Sequence, residues 1–489
     1  MKKTCRPRKK IGLLSFALLI VFLFASACGT APHPDADSLP PSSAVSRDED
    51  SSVQPASLPP VSSEPEAAVA HTMDDFISYY WRHPIDTDLS ALRNETISQV
   101  TGNGLCTYIL TESGRVFGCG FSLYHALAQN TEQPVVGLVE IKPGEKIKMI
   151  RAGDYGACAV GESNDIYFWG RCFDQPCSSA VALEGSEPVR VPFGKPIRDI
   201  QMQMRRIVIL TEEREVYAFG ENYVSEGTVR PSYNGYSWSE ETWLVPQKIV
   251  LPEPAVQICT TSSSIAILGA DGNCYTAYDS QYTWYPSVAV AENPQIRKID
   301  FDRPVVSIGT GDDTVFLVTA SHELYAAGNN LSGNMGLGEN ASSLYDTSLG
   351  SGYEIVKAVT KIPTEEPVAE VKSTVTIAFA CWRSTSGHIY VAGRNSTDFL
   401  LTGQSSQAAS TSSGLSVFTR VALPDNMTAF GCRGPLYWYR TPEGKVFAAG
   451  LNNYGNALGV PRADRIYGPN IIREPYEIPL SFSPDCRFD

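Results

Sequence analysis

One arrangement of apolar and polar positions recurs along this chain. An apolar run ends in Thr, Gly or Ser, and a short polar turn follows. Five residues after that end stands an aliphatic residue or Cys, next an aromatic, and three further on usually Gly. The second halves begin at Val116, Ile166, Val216, Cys274, Leu324, Ile389 and Val446. Two short alternating runs about a Gly-bearing turn, such as Glu112-Ser113-Gly114 or Pro442-Glu443-Gly444, predict a β-hairpin in which Gly supplies the positive φ. The internal spacing is constant, whereas the copies lie 50, 50, 58, 50, 65 and 57 residues apart. The variation therefore falls in connecting loops.

Upstream of each hairpin lies another alternating strand, such as Val305-Val306-Ser307-Ile308. A shorter strand beside a Pro comes before it, as in Val189-Arg190-Val191-Pro192 or Val421-Ala422-Leu423-Pro424. Four strands in roughly 50 residues, repeated seven times, predict an all-β, seven-bladed β-propeller of four-stranded blades. No Pro-flanked strand precedes Val100, but Tyr476-Glu477-Ile478-Pro479-Leu480 reads like one. Pairing of the N- and C-terminal segments is thus expected to complete the first blade and close the ring.

The copies resemble those of the regulator of chromosome condensation family. The fifth continues Gly328-Asn329-Asn330-Leu331-Ser332-Gly333-Asn334-Met335-Gly336-Leu337-Gly338, and the seventh Gly450-Leu451-Asn452-Asn453-Tyr454-Gly455-Asn456-Ala457-Leu458-Gly459. Both are similar to the family tail of Gly-x-Asn, two residues and Gly-Gln-Leu-Gly, with Asn where Gln is usual. Copies one, two and four keep little of it. The resemblance covers roughly residues 98–480 and implies a seven-bladed propeller. Its functional precedents are nucleotide exchange on a small GTPase and inhibition of β-lactamases, and neither carries over residue by residue.

The N-terminus is of another kind. Lys2, Lys3, Arg6, Arg8, Lys9 and Lys10 precede an apolar run from Ile11 to Ala27, which reads as a signal peptide over residues 1–27. Ala25-Ser26-Ala27-Cys28-Gly29 resembles a bacterial lipobox, with Ala25 where Leu is usual. Cys28 is then the diacylglyceryl residue that anchors the protein on the extracytoplasmic face of the cell membrane. Residues 29–72 hold 8 Pro, 9 Ser and 7 Ala and no Phe, Tyr or Trp. That composition cannot bury enough surface to order itself, so 28–72 is read as a lipidated tether. Residues 73–97, with Phe76, Tyr79, Tyr80 and Trp81, are read as an extension packing on the propeller of residues 98–489.

Charge changes the picture further. The formal charge of −14 becomes −20 once the six basic residues of the signal are removed. Such a surface excludes nucleic acid as a partner. It also assigns membrane attachment to the acyl chains rather than to electrostatics.

Ten Cys follow Cys28. Cys106 with Cys119 on the first hairpin, and Cys172 with Cys177 across a short loop, are the candidate disulfide pairs. The stronger reading is that most Cys fill small apolar strand slots, and Cys158 and Cys381 share one slot in different copies. No Cys or His spacing suits a metal, and no cofactor motif is present. No nucleophile elbow or phosphate loop appears, so the chain is read as a binding protein and not an enzyme, with a hydrolase hidden in the central channel as the weakest reading.

The residues picked out for binding are aromatic. Tyr223, Tyr233, Tyr236, Trp238 and Trp243 follow the third hairpin, and Tyr282, Trp284 and Tyr285 follow the fourth. Both groups start at the same point of the repeat, so both should emerge on one face from neighbouring blades. Clustered Tyr and Trp suit a protein interface and also stack on sugars. The expectation is a monomeric module for an extracellular protein partner, with a cell-wall glycan as the alternative.

Overall fold

In the computed structural model the described residues are 84–489, apart from 132, 172–186, 204–205, 221–243, 262–263, 278–286, 291–292, 312, 339–340, 347–353, 375–378, 396–397, 404–413, 433, 453–454, 459 and 461–469. The chain falls into two units, Met1–Tyr79, which lies wholly outside those residues, and Tyr80–Asp489. The signal, Cys28 and the tether are therefore outside the described residues, as are Phe76, Tyr79, Tyr80 and Trp81.

The chain is an all-β propeller of four-stranded blades. Its strands group into seven sheets, five of four strands, one of five and one of six. Each sheet starts its run with an inner strand, Ile97–Gly102, Ile147–Ala152, Ile197–Gln203, Ala255–Thr260, Val305–Gly311, Val368–Lys372 and Ala429–Cys432 in the first to seventh sheets. It continues as a meander except in the fourth, where Asn293–Ile299 pairs with the hairpin and Ser287–Val290 lies outside it. The predicted hairpin supplies the next two strands, for example Cys106–Thr111 and Val116–Phe121. A Pro-flanked strand such as Val189–Val191 comes last and pairs with the hairpin before it, not with the strand after it. This corrects the phase of the repeat. The first sheet has its own such strand, Pro134–Ile141, which ends just before Pro143.

The closure is corrected accordingly. Ile471–Glu477 is the outer strand of the seventh sheet. The strand that joins the first sheet is Phe482–Phe488, parallel to the inner strand Ile97–Gly102, with Val100 opposite Phe488. At the other edge of this sheet, Ile85–Asp86 pairs in parallel with Val135 and Val136. Gly137 permits that approach. Its φ is 103°, and a Cβ there would lie 2.0 Å from the Thr87 carbonyl oxygen. The first sheet thus reaches six strands with both chain segments added to a complete meander.

Why the strands are apolar on both faces follows from stacking. Cys106–Thr111 is buried at every position because each sheet lies between two others. One apolar cluster joins Cys158, Val160 and Phe168 of the second sheet to Ile200, Met202 and Ile209 of the third. Another joins Val100, Ile109 and Phe117 of the first sheet to Leu436, Trp438 and Ala448 of the seventh, with Phe488 among them. The last sheet therefore packs directly on the first.

Cys106 and Cys119 are free, buried thiols. Register explains why they are not bridged. Cys106 lies opposite Gly120, and Cys119 opposite Thr107, so the one-residue offset sends the two side chains to opposite faces of the sheet. The Cys106 thiol donates to the Phe121 carbonyl at 3.0 Å, and the Cys119 thiol to that of Asn456 at 3.7 Å. Burial pushes the Cys119 thiol up to about 12. Cys158 and Cys381 are fully buried and belong to no disulfide. Cys172 and Cys177 lie outside the described residues.

Candidate functional site

Both ends of the sheets carry conserved geometry within this one chain, but of different kinds. At one end are the hairpin turns. At the other are the connections from the third to the fourth strand of each sheet, which run 121–134, 171–189, 220–247, 329–355, 394–414 and 451–471 in six of them. Ala277 opens the corresponding connection in the fourth sheet.

At the turn end each sheet sets an aromatic opposite a charge. The pairs are Phe117 with Glu140, Tyr167 with Arg190, Tyr217 with Lys248, Tyr275 with Lys298, Tyr325 with Lys361, Tyr390 with Arg420 and Phe447 with Glu477. A carboxylate accepts the tyrosine hydroxyl: Glu145 from Tyr167, Glu215 from Tyr217, Asp271 from Tyr275 and Glu366 from Tyr390, all at 2.8 Å. Cations complete the groups. Glu215 lies 2.7 Å from Lys195 and 2.5 Å from Lys248. Glu323 lies 2.7 Å from Arg303 and 2.5 Å from Lys361. Hydrogen bonds from Lys195 and then Lys248 hold the Glu215 carboxyl down at about 2, and Lys361 does the same for Glu323. Burial and the bond to Glu145 push the Tyr167 hydroxyl up to about 12. This face spends its charges on one another.

The sequence showed the aromatics but not the charges around them. The sign at a given slot changes from copy to copy: Arg115, Asp165, Glu215, Glu323 and His388 stand in equivalent places. What recurs is a polar or charged partner for each of these carboxylates, which a search for like residues does not see. His388 Nδ1 lies 2.5 Å from Glu366 Oε1, and His322 Nδ1 lies 2.9 Å from the Val368 carbonyl oxygen. Both histidines are therefore engaged in the turns rather than free on the surface. A groove of about 520 Å³ runs between the fifth and sixth sheets here, lined by His322, Glu323, Lys361, Glu365 and Glu366.

At the loop end the family tail has a physical role. Asn330 Oδ1 accepts the Met335 amide at 2.9 Å, Asn395 Oδ1 that of Leu400 at 3.0 Å, and Asn452 Oδ1 that of Ala457 at 2.8 Å. The side chain closes the loop start as a cap closes a turn. In the first sheet Ser122 stands in the same place and accepts the Leu127 amide at 3.4 Å. That copy keeps the loop although its sequence has lost the Asn. Ser332, at φ 58°, and Tyr124, at φ 56°, occupy the left-handed position in these two loops.

The aromatic binding candidates do not enter this geometry. Tyr223, Tyr233, Tyr236, Trp238, Trp243, Tyr282, Trp284 and Tyr285 all lie outside the described residues. Their flanking strands do not: Val216–Gly220 and Cys274–Ala277 end on the loop side of adjacent sheets.

Toward the centre, the inner strands share a bulge after their first residue, as between Ile97 and Gln99 or Ile197 and Asp199. The next residue is Gln99, Asp199, Gln257 or Glu370 in four of the sheets. Arg151 bridges Asp199 at 2.9 Å and Asp489 at 2.6 Å. Gln99 also donates to Asp489 at 2.6 Å. In the first three sheets this polar lining gathers around Asp489 at the end of the C-terminal strand. Among the described residues, no group of three or more His, Cys, Asp or Glu could hold a metal ion.

No family model matches the chain. The regulator of chromosome condensation of Xenopus laevis is 23% identical over 334 residues, which is 63% of this chain and 74% of that protein. The Mus musculus protein of the same name is 26% identical over 135 residues, 26% of this chain and 31% of that protein. The chain thus matches about a third of the length of that relative. Among solved structures, Prp20p from Saccharomyces cerevisiae aligns with a TM-score of 0.55 at 16% identity, covering 77% of this chain and 87% of that one. Human WBSCR16 aligns with a TM-score of 0.52 at 16% identity, covering 75% and 95%. At this identity the structural likeness speaks for the fold.

Proposed function

We propose that this chain, a β-propeller of regulator of chromosome condensation repeats, works as a protein-binding module. In this reading the seven sheets are seven blades of one ring, and lipid on Cys28 holds that ring at the extracytoplasmic face of a cell membrane. The observation that carries it is the difference between the two ends of the sheets. The long connections of variable length leave at the loop end, whereas the links at the turn end are four to eight residues long and carry ion pairs within the chain. Variable loops on a rigid scaffold are where propellers place recognition.

Two things support a protein as the partner. Yeast Prp20p, which shares the fold, is described as binding Gsp1p and histones. The segments that follow Gly220 and Ala277 also concentrate Tyr and Trp, the residues that carry most interface energy. Those same aromatics favour a glycan as the second reading. Purified protein and its Trp238→Ala and Trp284→Ala variants, passed over peptidoglycan and over envelope protein extracts, separate the two. Loss of a protein partner with no glycan retention supports the first. Glycan retention abolished by either variant supports the second.

A further inference from the structure

We propose that Cys381 and Cys432 are an oxidisable pair that closes as a disulfide between the sixth and seventh sheets. The two residues are 51 positions apart in the sequence. Ring packing brings them together. Cys381 lies in the second strand of the sixth sheet, opposite Val391, and Cys432 ends the inner strand of the seventh, opposite Tyr437. Both are buried and outside any disulfide, and the Cys381 thiol is close enough to help push that of Cys432 upward. The Cys432 thiol also lies 3.2 Å from the Gly434 carbonyl oxygen.

This contact is a regular feature of the ring and not a chance approach. Counting back from the hairpin turn, Cys381 stands in the slot that Cys158 fills in the second sheet. Counting from its pairing partner, Cys432 stands in the slot that Met202 fills in the third. Cys158 and Met202 belong to one apolar cluster. The same two slots therefore share one apolar layer between the second and third sheets, and between the sixth and seventh sheets both hold Cys.

The chemistry is thiol–disulfide exchange. A thiolate of the pair attacks a small disulfide oxidant of the glutathione type, forming a mixed disulfide and releasing one thiol. The second Cys then displaces the other thiol, so two S–H bonds are lost, one S–S bond forms, and the oxidant leaves as two thiols with both protons and both electrons. Burial favours the protonated Cys432, which slows attack in the closed ring, while Lys372 nearby acts in the opposite direction. Exchange is accordingly fastest before the seventh sheet docks.

Peptide mapping of the full chain tests this. The reduced protein is equilibrated with oxidised glutathione, once in the folded state and once during refolding from urea. It is then alkylated in denaturant and digested without reductant. The expected result is a peptide holding Cys381 linked to Cys432 as the dominant crosslink among the described cysteines. It should form faster during refolding and raise the melting temperature by about 5 °C. Cys432→Ser should lose both the crosslink and the shift. If both residues are recovered alkylated after either treatment of the wild-type chain, the proposal is wrong, whatever the variant does.

Discussion

Gln99 holds Ile150 of the next sheet by both of its backbone groups. Its Nε2 donates to the Ile150 carbonyl at 2.7 Å, and its Oε1 accepts from the Ile150 amide at 3.1 Å. Gln257 grips Ile308 in the same way, at 2.7 and 3.0 Å. A side-chain amide thus copies one rung of a β-ladder across the gap between sheets. Replacing Gln99 or Gln257 by Ala removes the acceptor of the Ile150 or Ile308 amide, while the carbonyl keeps a donor in Arg151 or Cys259, and each change should cost about 1–2 kcal/mol in urea unfolding. Because the two sites share no partner, the double variant should lose the sum.

Arg440 is where the repeat pattern breaks for a reason. The slot is Leu110, Val160, Leu210, Leu268 and Val318 in the first five sheets and Arg383, paired with Glu370, in the sixth. In the seventh it is Arg440, buried, with its guanidinium on the Ser483 and Pro484 carbonyls and 5.6 Å from the Phe488 ring centre. This clamp holds the strand that joins the first sheet. Arg440→Leu restores the repeat yet should destabilise the fold by about 3 kcal/mol. Limited proteolysis should then cut within 480–489 at a concentration that spares the wild type.

Acid should loosen the turn end. Glu366 is held at about 2, first by the bond from His388, while Glu215 and Glu323 are held at about 2 by their lysines, against an ordinary 4.5. A carboxyl whose folded value is depressed binds fewer protons when folded. Its stabilisation is complete above pH 4.5 and drains away as the pH falls toward 2. These groups face solvent, so salt should shrink the effect. Urea midpoints for Glu366→Gln should fall less steeply than wild type between pH 4.5 and 3, and the gap between the two proteins should narrow with added salt.

Loop caps give a fourth test. Asn452→Ala removes the acceptor of the buried Ala457 amide and should cost about 1–2 kcal/mol. Asn452→Ser should recover part of that loss, because Ser122 does the same task in the first sheet. Recovery is measured by thermal unfolding of the three proteins side by side.

Much of this was legible from the chain. The hairpins fall where the alternating runs place them, because buried strands flanked by Gly turns leave a local signature. The phase of the Pro-flanked strand was not legible: Val189–Val191 is adjacent in sequence to the strands on both sides, and only its pairing with Ile166–Arg171 decides between them. Misreading that phase left the first sheet one strand short and misassigned Tyr476–Leu480. Arg440 did not betray the true closure, because Arg383 stands at the same slot of the sixth sheet and pairs with Glu370 instead of holding an added strand. The charge groups of the turn end were hidden because the residue types and signs at each slot change from copy to copy. The Cys106–Cys119 reading failed by one residue of register, which spacing alone does not fix.

The proposed function places partner recognition at the loop end. The direct measurement is binding of an envelope partner, captured by crosslinking, to three immobilised proteins: wild type, Trp238→Ala with Trp284→Ala, and a turn-end control with Glu323→Lys and Lys361→Glu exchanged. The account predicts retention by the wild type and the control, and at least a tenfold loss for the loop-end variant, as expected for aromatic anchors. Equal retention by the loop-end variant, with loss in the control, would contradict it.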